Sequence, residues 1–94
     1  MTTAFEWDDA KATENLRKHR VSFAQAAAVF LDPFAVEWVY AREAYGEERL
    51  ILLGMSAAQL LSVVYTERAD RIRIISARRA TRYEQAYYLR QNAP

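Results

Sequence analysis

The sequence predicts an α+β domain with two N-terminal helices, an antiparallel sheet of about four strands, and one C-terminal helix. Three observations carry this. Helix-capping residues stand at Asp8 and Ser22. Residues 34–77 hold apolar, strand-like runs joined by short connections. A further capping pattern opens a helix at Thr81. Helices segregated from an antiparallel sheet define the class. The 94 residues make one domain, 1–94, and 52% of them are hydrophobic, enough for a core.

In order, Phe5-Glu6-Trp7 is a short apolar start suited to an edge strand. Asp8 caps a helix running to about His19. Its apolar face is thin: Ala10, Ala12 and Leu16. Lys11, Asn15 and His19 recur every four residues and share one face, with Lys18 beside them. Ser22 and Gln25 form a capping box for a second helix, whose stripe is Phe23, Ala26, Ala27, Phe30 and Leu31. Asp32-Pro33 ends it, because proline cannot continue the ladder and biases its predecessor toward extended backbone.

Phe34, Val36, Trp38 and Tyr40 then alternate with Ala35, Glu37, Val39 and Ala41, a strand pattern. A loop over 42–48 contains Gly46. Residues 49–55, 60–66 and 72–77 read as three more strands, the last two apolar enough to be covered on both faces. Short connections predict a meander. Thr81 and Glu84 repeat the capping box, and the final helix runs to about Gln91 with Tyr83, Tyr87 and Arg90 on one face. Trp7 and Trp38 are expected in the core. The register of the last hairpin stays open. A three-residue turn at 68–70 sets Glu67 opposite Arg71 and Tyr65 opposite Arg73. A four-residue turn sets Glu67 opposite Ile72 and Tyr65 opposite Ile74, and the arginines change face.

Composition removes several function classes. There is no cysteine, hence no disulfide and no thiolate site. One histidine and scattered acids argue against a metal centre, so no metal and no cofactor is expected. Gly46 and Gly54 are the only glycines, too few for a glycine-rich phosphate loop. Met1 to Ala4 is uncharged and is followed at once by Glu6, Asp8 and Asp9, unlike a secretory leader. No apolar run approaches the roughly 20 residues of a membrane span. The expectation is a cytoplasmic domain with no membrane partner.

Charge is the informative property. The net value is only +1, yet residues 1–48 hold five Lys/Arg against nine Asp/Glu, and residues 49–94 hold eight Arg against three acids. Six of those arginines fall between Glu67 and Arg82, beside two acids. Arginine keeps its charge at cellular pH and grips phosphate with paired hydrogen bonds. Six of them around a buried strand point to a polyanion surface; interleaving of the two halves in the fold would average the field away.

Phe5-Glu6-Trp7-Asp8, Lys11, Asn15, Lys18-His19, Val21-Ser22-Phe23, Phe30 and Asp32-Pro33 follow one another at a familiar spacing. Gly46-Glu47-Glu48-Arg49, Tyr65-Thr66-Glu67-Arg68 and the run Ile72 to Arg78 continue it. Together these segments resemble the BrnT family, over Phe5 to about Tyr88. The resemblance implies a RelE-like fold and the ribonuclease toxin of a type II toxin–antitoxin system, which arrests translation. It implies a BrnA-type ribbon-helix-helix antitoxin as partner, with operator DNA reached only through that antitoxin. The chain departs from the family at Arg20 and Ala69, where glycine is usual. Arginine in a left-handed helix end costs roughly 1 kcal/mol.

Metal-free RNA cleavage takes its nucleophile, the 2′-hydroxyl, from the substrate. The protein supplies a proton acceptor, a proton donor and cations for the charge on phosphorus. On this resemblance the catalytic candidates are His19, Glu67, Arg68 and Arg78. The substrate-binding candidates are Lys11, Arg73, Arg79 and Tyr83. Each has a plainer alternative. His19 suits a helix C-terminus, Lys11 a solvated helix face. Glu67 suits a surface ion pair; as a base it would be weakened by arginines that lower its pKa. Arg68 and Arg73 suit protection of a hairpin edge. Arg78 and Arg79 precede a helix N-terminus whose free N–H groups also favour anions. Tyr83 and Tyr87 stack a base or pack the helix on its sheet. A non-catalytic RNA- or protein-binding module is the competing function.

Overall fold

A computed structural model of the chain describes residues 4–42 and 46–94. Residues 1–3, read above for a leader, and 43–45, inside the predicted loop, lie outside the described residues. The order is β1 (Ala4–Glu6), α1 (Asp9–His19), α2 (Phe23–Ala28) with a 3-10 turn (Val29–Leu31), β2 (Val36–Arg42), β3 (Glu48–Ser56), β4 (Gln59–Arg68), β5 (Arg71–Arg79) and α3 (Arg82–Gln91). The α+β class holds, but the sheet is not the expected four-stranded antiparallel meander. It is mixed and five-stranded, in the order β1-β5-β4-β3-β2. β1 lies parallel to β5, with Phe5 opposite Ile72. Pairing between the two ends of the chain leaves no local signal, which is why the alternation pattern could not show it.

All three helix starts form as their local chemistry dictates. The Asp8 carboxylate accepts from the N–H groups of Ala10 and Lys11. The Ser22–Gln25 and Thr81–Glu84 capping boxes are both complete. The second helix is shorter than predicted. It tightens into the 3-10 turn at Val29, because Asp32 is already extended ahead of Pro33. α1 closes on Arg20 at φ +60°, its N–H bonded to the Leu16 carbonyl, so arginine occupies the left-handed position directly. Ala69, at φ +55°, does the same in the last hairpin. Arg68 pairs with Arg71, so only Ala69 and Asp70 remain in that turn. The second of the two registers results: Glu67 opposite Ile72, Tyr65 opposite Ile74.

α1 and α2 cover the back face of the sheet. Val21, Phe23, Ala26 and Val29 pack on Leu52, Leu61, Val63, Tyr65, Ile74 and Ala77. Each large apolar side chain buried this way is worth about 1.5–3 kcal/mol. Phe5, Phe30 and Tyr65 meet edge to face, with centroids 5.2 and 4.9 Å apart. Gly54 lets the 3-10 turn approach: a Cβ there would sit 2.9 Å from Val29 Cγ1. β1 flanks β5 only as far as Arg73. Beyond it the buried Asn15 takes over the strand edge. Its Nδ2 donates to the carbonyls of Ala77 (2.8 Å) and Val21 (2.9 Å), and its Oδ1 accepts from the Ala77 N–H (3.0 Å).

α3 crosses the front face. Trp38 of β2 meets Tyr87 edge to face at 5.8 Å, so this tryptophan lies half-buried against the helix rather than in the main core. The far end is pinned at Asp32. Its carboxylate accepts from the N–H groups of Phe34 (2.8 Å) and Met55 (2.7 Å) and from the Tyr88 hydroxyl (2.8 Å). Burial alone would raise the Asp32 pKa; these three donors outweigh it and hold the carboxyl below its ordinary value. Burial and Asp32 push the Tyr88 hydroxyl up to about 12. Asp32, legible only as a helix stop, therefore joins the 3-10 turn, β3 and α3.

Candidate active site

α3 leaves the other half of the front face open, and a β-bulge decides what stands there. Val64 pairs with Ser76, but Tyr65 pairs with Ile74, so Ile75 is an extra residue on β5. Strict alternation would send Arg73 and Arg78 to opposite faces, since they are five apart. The bulge shifts the phase. Arg71 (opposite Arg68), Arg73 (opposite Thr66), Ser76 (opposite Val64) and Arg78 (opposite Ser62) all stand on the front. The result is a row of guanidinium groups along one strand, on a sheet face that water reaches.

Each arginine has a defined setting. Arg78 makes a two-pronged pair with Glu84, Nη1–Oε1 2.8 Å and Nη2–Oε2 2.9 Å. That bond raises the Arg78 pKa and, from the other side, holds Glu84 below its ordinary value. Arg73 Nη1 bonds Glu6 Oε2 of β1 at 2.9 Å. Arg68 Nε bonds Glu47 at 3.2 Å. Arg71 and Arg82 make no side-chain hydrogen bond or ion pair among the described residues. Thr66, almost wholly buried, lies between the strands and donates to the Glu48 carbonyl (2.7 Å).

The eight candidates from the sequence are not all brought together. Arg68, Arg73 and Arg78 share the front face. Tyr83, 75% exposed on the first turn of α3, borders the same region. Arg79 pairs with Leu61, opposite in facing to Arg78, and lines a separate hollow of about 450 Å³ with Gln85 and Tyr88. Glu67 faces the back. There it joins Glu37, Glu47, Glu48 and Arg42, the last paired with Glu48 at 2.9 Å, around an open hollow of about 810 Å³. Glu37 accepts from the Tyr65 hydroxyl, and burial together with this carboxylate raises the Tyr65 pKa. Lys11 and His19 lie on α1, along the outer edge of β5 that Asn15 fastens. Lys11 is exposed, His19 half-buried, and neither makes a side-chain hydrogen bond or ion pair among the described residues.

Sequence reasoning missed three participants. Glu84 was legible as a cap but not as the partner of Arg78. Glu6 carried no signal, because its contact depends on parallel pairing. Trp38 read as core but, with Tyr83, Glu84 and Tyr87, lines a groove of about 350 Å³ between β2 and α3. Among the described residues no three His, Cys, Asp or Glu side chains gather as metal ligands. No helix there is long and apolar enough to cross a membrane.

A row of arginines on an open sheet face, beside a capped helix N-terminus, is suited to a phosphodiester backbone. A search of curated proteins finds no match for the chain. The family model described as the ribonuclease toxin BrnT of type II toxin–antitoxin systems matches residues 7–84, which take in both the bulged strand and the Arg78–Glu84 pair, and by that match the chain belongs to the BrnT family of ribonuclease toxins.

Proposed function

We propose that the protein is an endoribonuclease that cuts RNA on the front face without a metal ion, and that this cleavage arrests translation in the cytoplasm. The observation that carries the reading is the bulge at Ile75, which turns Arg73 and Arg78 to one side. The two are about 15 Å apart along the strand, so they meet successive stretches of one RNA backbone rather than one phosphate. Arg78 takes the scissile phosphate, where its two N–H groups stabilise the added negative charge. Arg73, Arg68 and Arg71 hold the flanking backbone.

Glu84 gives the exchange a chemical consequence. In the free protein its carboxylate is occupied by Arg78. When phosphate takes over the guanidinium, the carboxylate loses the partner that depresses its pKa and becomes a better base. It accepts the 2′-hydroxyl proton as the 2′-oxygen bonds to phosphorus. The bond to the 5′-oxygen breaks, and water at the open face protonates that leaving group. The products are a 2′,3′-cyclic phosphate and a 5′-hydroxyl. Glu67 and His19, on other surfaces, have no part in this scheme.

A BrnA-type ribbon-helix-helix antitoxin neutralises the toxin, and operator DNA is met only through it. The test is cleavage of end-labelled RNA by purified protein in the presence of a chelator. Cyclic-phosphate ends from the wild type and intact RNA with Arg78→Ala support the proposal; intact RNA with both overturns it. One observation favours the competing reading: Arg68, Arg73 and Arg78 are already ion-paired. A module that binds RNA without cutting it would shift RNA in a gel yet leave every linkage whole.

A further inference from the structure

The groove between β2 and α3 is only partly accounted for by packing: Trp38 and Tyr87 meet edge to face, but Tyr83 packs on neither. The groove is lined by Trp38, Tyr83, Glu84 and Tyr87, with Tyr83 exposed. About 350 Å³ falls within the roughly 300–1,000 Å³ of small-ligand sites. Main-core aromatics such as Phe23 and Tyr65 are covered, whereas Tyr83 presents its ring to solvent. Most important is its neighbour. The same Glu84 that lines the groove holds Arg78 by two hydrogen bonds. The guanidinium proposed to bind phosphate is therefore bonded to a side chain that lines the groove.

We infer that this groove is a nucleobase subsite, taking the base adjacent to the scissile phosphate by stacking on Tyr83 and Trp38. The inference rests on the ribonuclease reading and names what that site recognises beside phosphate. Aromatic faces suit single-stranded RNA, whose unpaired bases offer flat π surfaces. Glu84 Oε2 accepts only from Arg78 Nη2, whereas Oε1 accepts from both Arg78 Nη1 and the Thr81 N–H. Once phosphate has drawn Arg78 away, Oε2 has lost that partner while Oε1 keeps the Thr81 N–H, so the carboxylate has acceptor capacity both for the 2′-hydroxyl proton and for a base amino group. A carboxylate beside a stacked base accepts from the exocyclic amino group of adenine, guanine or cytosine, whereas uracil offers a single N3–H held between two carbonyls. The groove selects single-stranded sites and biases the cut next to an amino-bearing base.

The experiment uses the full chain with Trp7→Phe, so that Trp38 is the sole tryptophan. A short RNA with 2′-O-methyl groups, which cannot be cut, is titrated while Trp38 emission is followed. Quenching that saturates, and that weakens about tenfold with Tyr83→Ala but not with Tyr83→Phe, supports the subsite. In parallel, cleavage of a randomised RNA pool by Tyr83→Ala should show KM raised about tenfold, kcat changed less, and a flattened base preference beside the cut. Should the wild type cut RNA while Trp38 emission stays constant and Tyr83→Ala keeps both KM and base preference, the subsite is overturned and the ribonuclease stands. Should the wild type cut nothing, the ribonuclease reading falls; quenching by the uncleavable RNA then still decides the groove by itself. Because Tyr83 is exposed, its substitution leaves folding intact, which melting of the variant verifies.

Discussion

Glu67 and Arg68 are adjacent in the chain, and the sheet sends them to opposite faces. Around Glu67 the back face gathers Glu37 and Glu48, with Arg42 paired to Glu48; around Arg68 the front gathers Arg71, Arg73 and Arg78, and Glu47, in the loop before β3, reaches across to Arg68. The back is mostly closed by α1 and α2 and holds the main core. The front is half covered by α3; elsewhere its arginines are partly or fully exposed over the buried Thr66. The two-residue period of the strands thus parts Glu67 from the arginines that neighbour it in the chain, although Glu47 still links the two surfaces through Arg68. One extra residue, Ile75, then decides which arginines act together. Front-face substitutions are therefore expected to act mainly on chemistry, and back-face substitutions mainly on stability.

The largest effect should come from the front. Arg78→Ala is expected to lower kcat for RNA cleavage by about 10²–10³-fold, the usual cost of one transition-state donor. Glu67→Gln should stay within about twofold of wild type, because its carboxylate faces the other way. Rate assays on the two purified variants check this. Equal losses in both would mean that the two faces do not divide the work.

Next comes Asn15, which serves the back. Removing its amide leaves the Ala77 N–H and carbonyl and the Val21 carbonyl without partners. Each buried orphan costs about 1–3 kcal/mol, so Asn15→Ala should destabilise the fold by about 3 kcal/mol. Urea unfolding followed by circular dichroism measures it. At temperatures where the variant is folded, kcat should match the wild type. Gly54→Ala is the smaller companion. Its Cβ would meet Val29 Cγ1 at 2.9 Å and Ala35 Cβ at 3.0 Å, an overpacking cost of about 1–3 kcal/mol. A melting temperature unchanged by this substitution would show that the 3-10 turn yields freely.

What the sequence disclosed was local. Asp8, Ser22–Gln25 and Thr81–Glu84 mark helix starts because a cap is settled within four residues. Pro33 marked a stop for the same reason. The arginine cluster was legible as composition, and three of its members do share a face. What stayed hidden depends on the partner strand. Hairpin register followed from Ala69 accepting a left-handed conformation that its residue type disfavours. The bulge at Ile75 marks the sequence only as a doubled Ile74-Ile75 between polar positions 71, 73 and 76, 78, a phase slip hidden by reading 72–77 as one apolar strand. Glu6 reached Arg73 only through parallel pairing across the whole chain. Asn15 shared a helical face with Lys11 and His19 in sequence, but its buried amide shows that this face docks on β5.

The smallest effect is the most direct probe of the front face at rest. Glu84 has its pKa lowered by Arg78 first, and also by the Thr81 N–H, against the opposing effect of burial. A depressed folded pKa means that the charged form stabilises the fold. That contribution is fully present above the unfolded value, about 4.5, and is lost as pH falls through the lower folded value. Glu84→Gln should therefore flatten the acid limb of a stability–pH profile below about pH 4.5 and leave the neutral limb parallel to wild type. Arg78 is partly exposed, so solvent screening keeps the amplitude at about 1 kcal/mol or less. Adding inorganic phosphate at neutral pH sharpens the comparison. If Arg78 exchanges Glu84 for an oxyanion, phosphate stabilises the wild type and not Arg78→Ala, as binding to the folded state alone requires. Equal stabilisation of both proteins would locate the anion elsewhere and remove the exchange on which the proposed base depends.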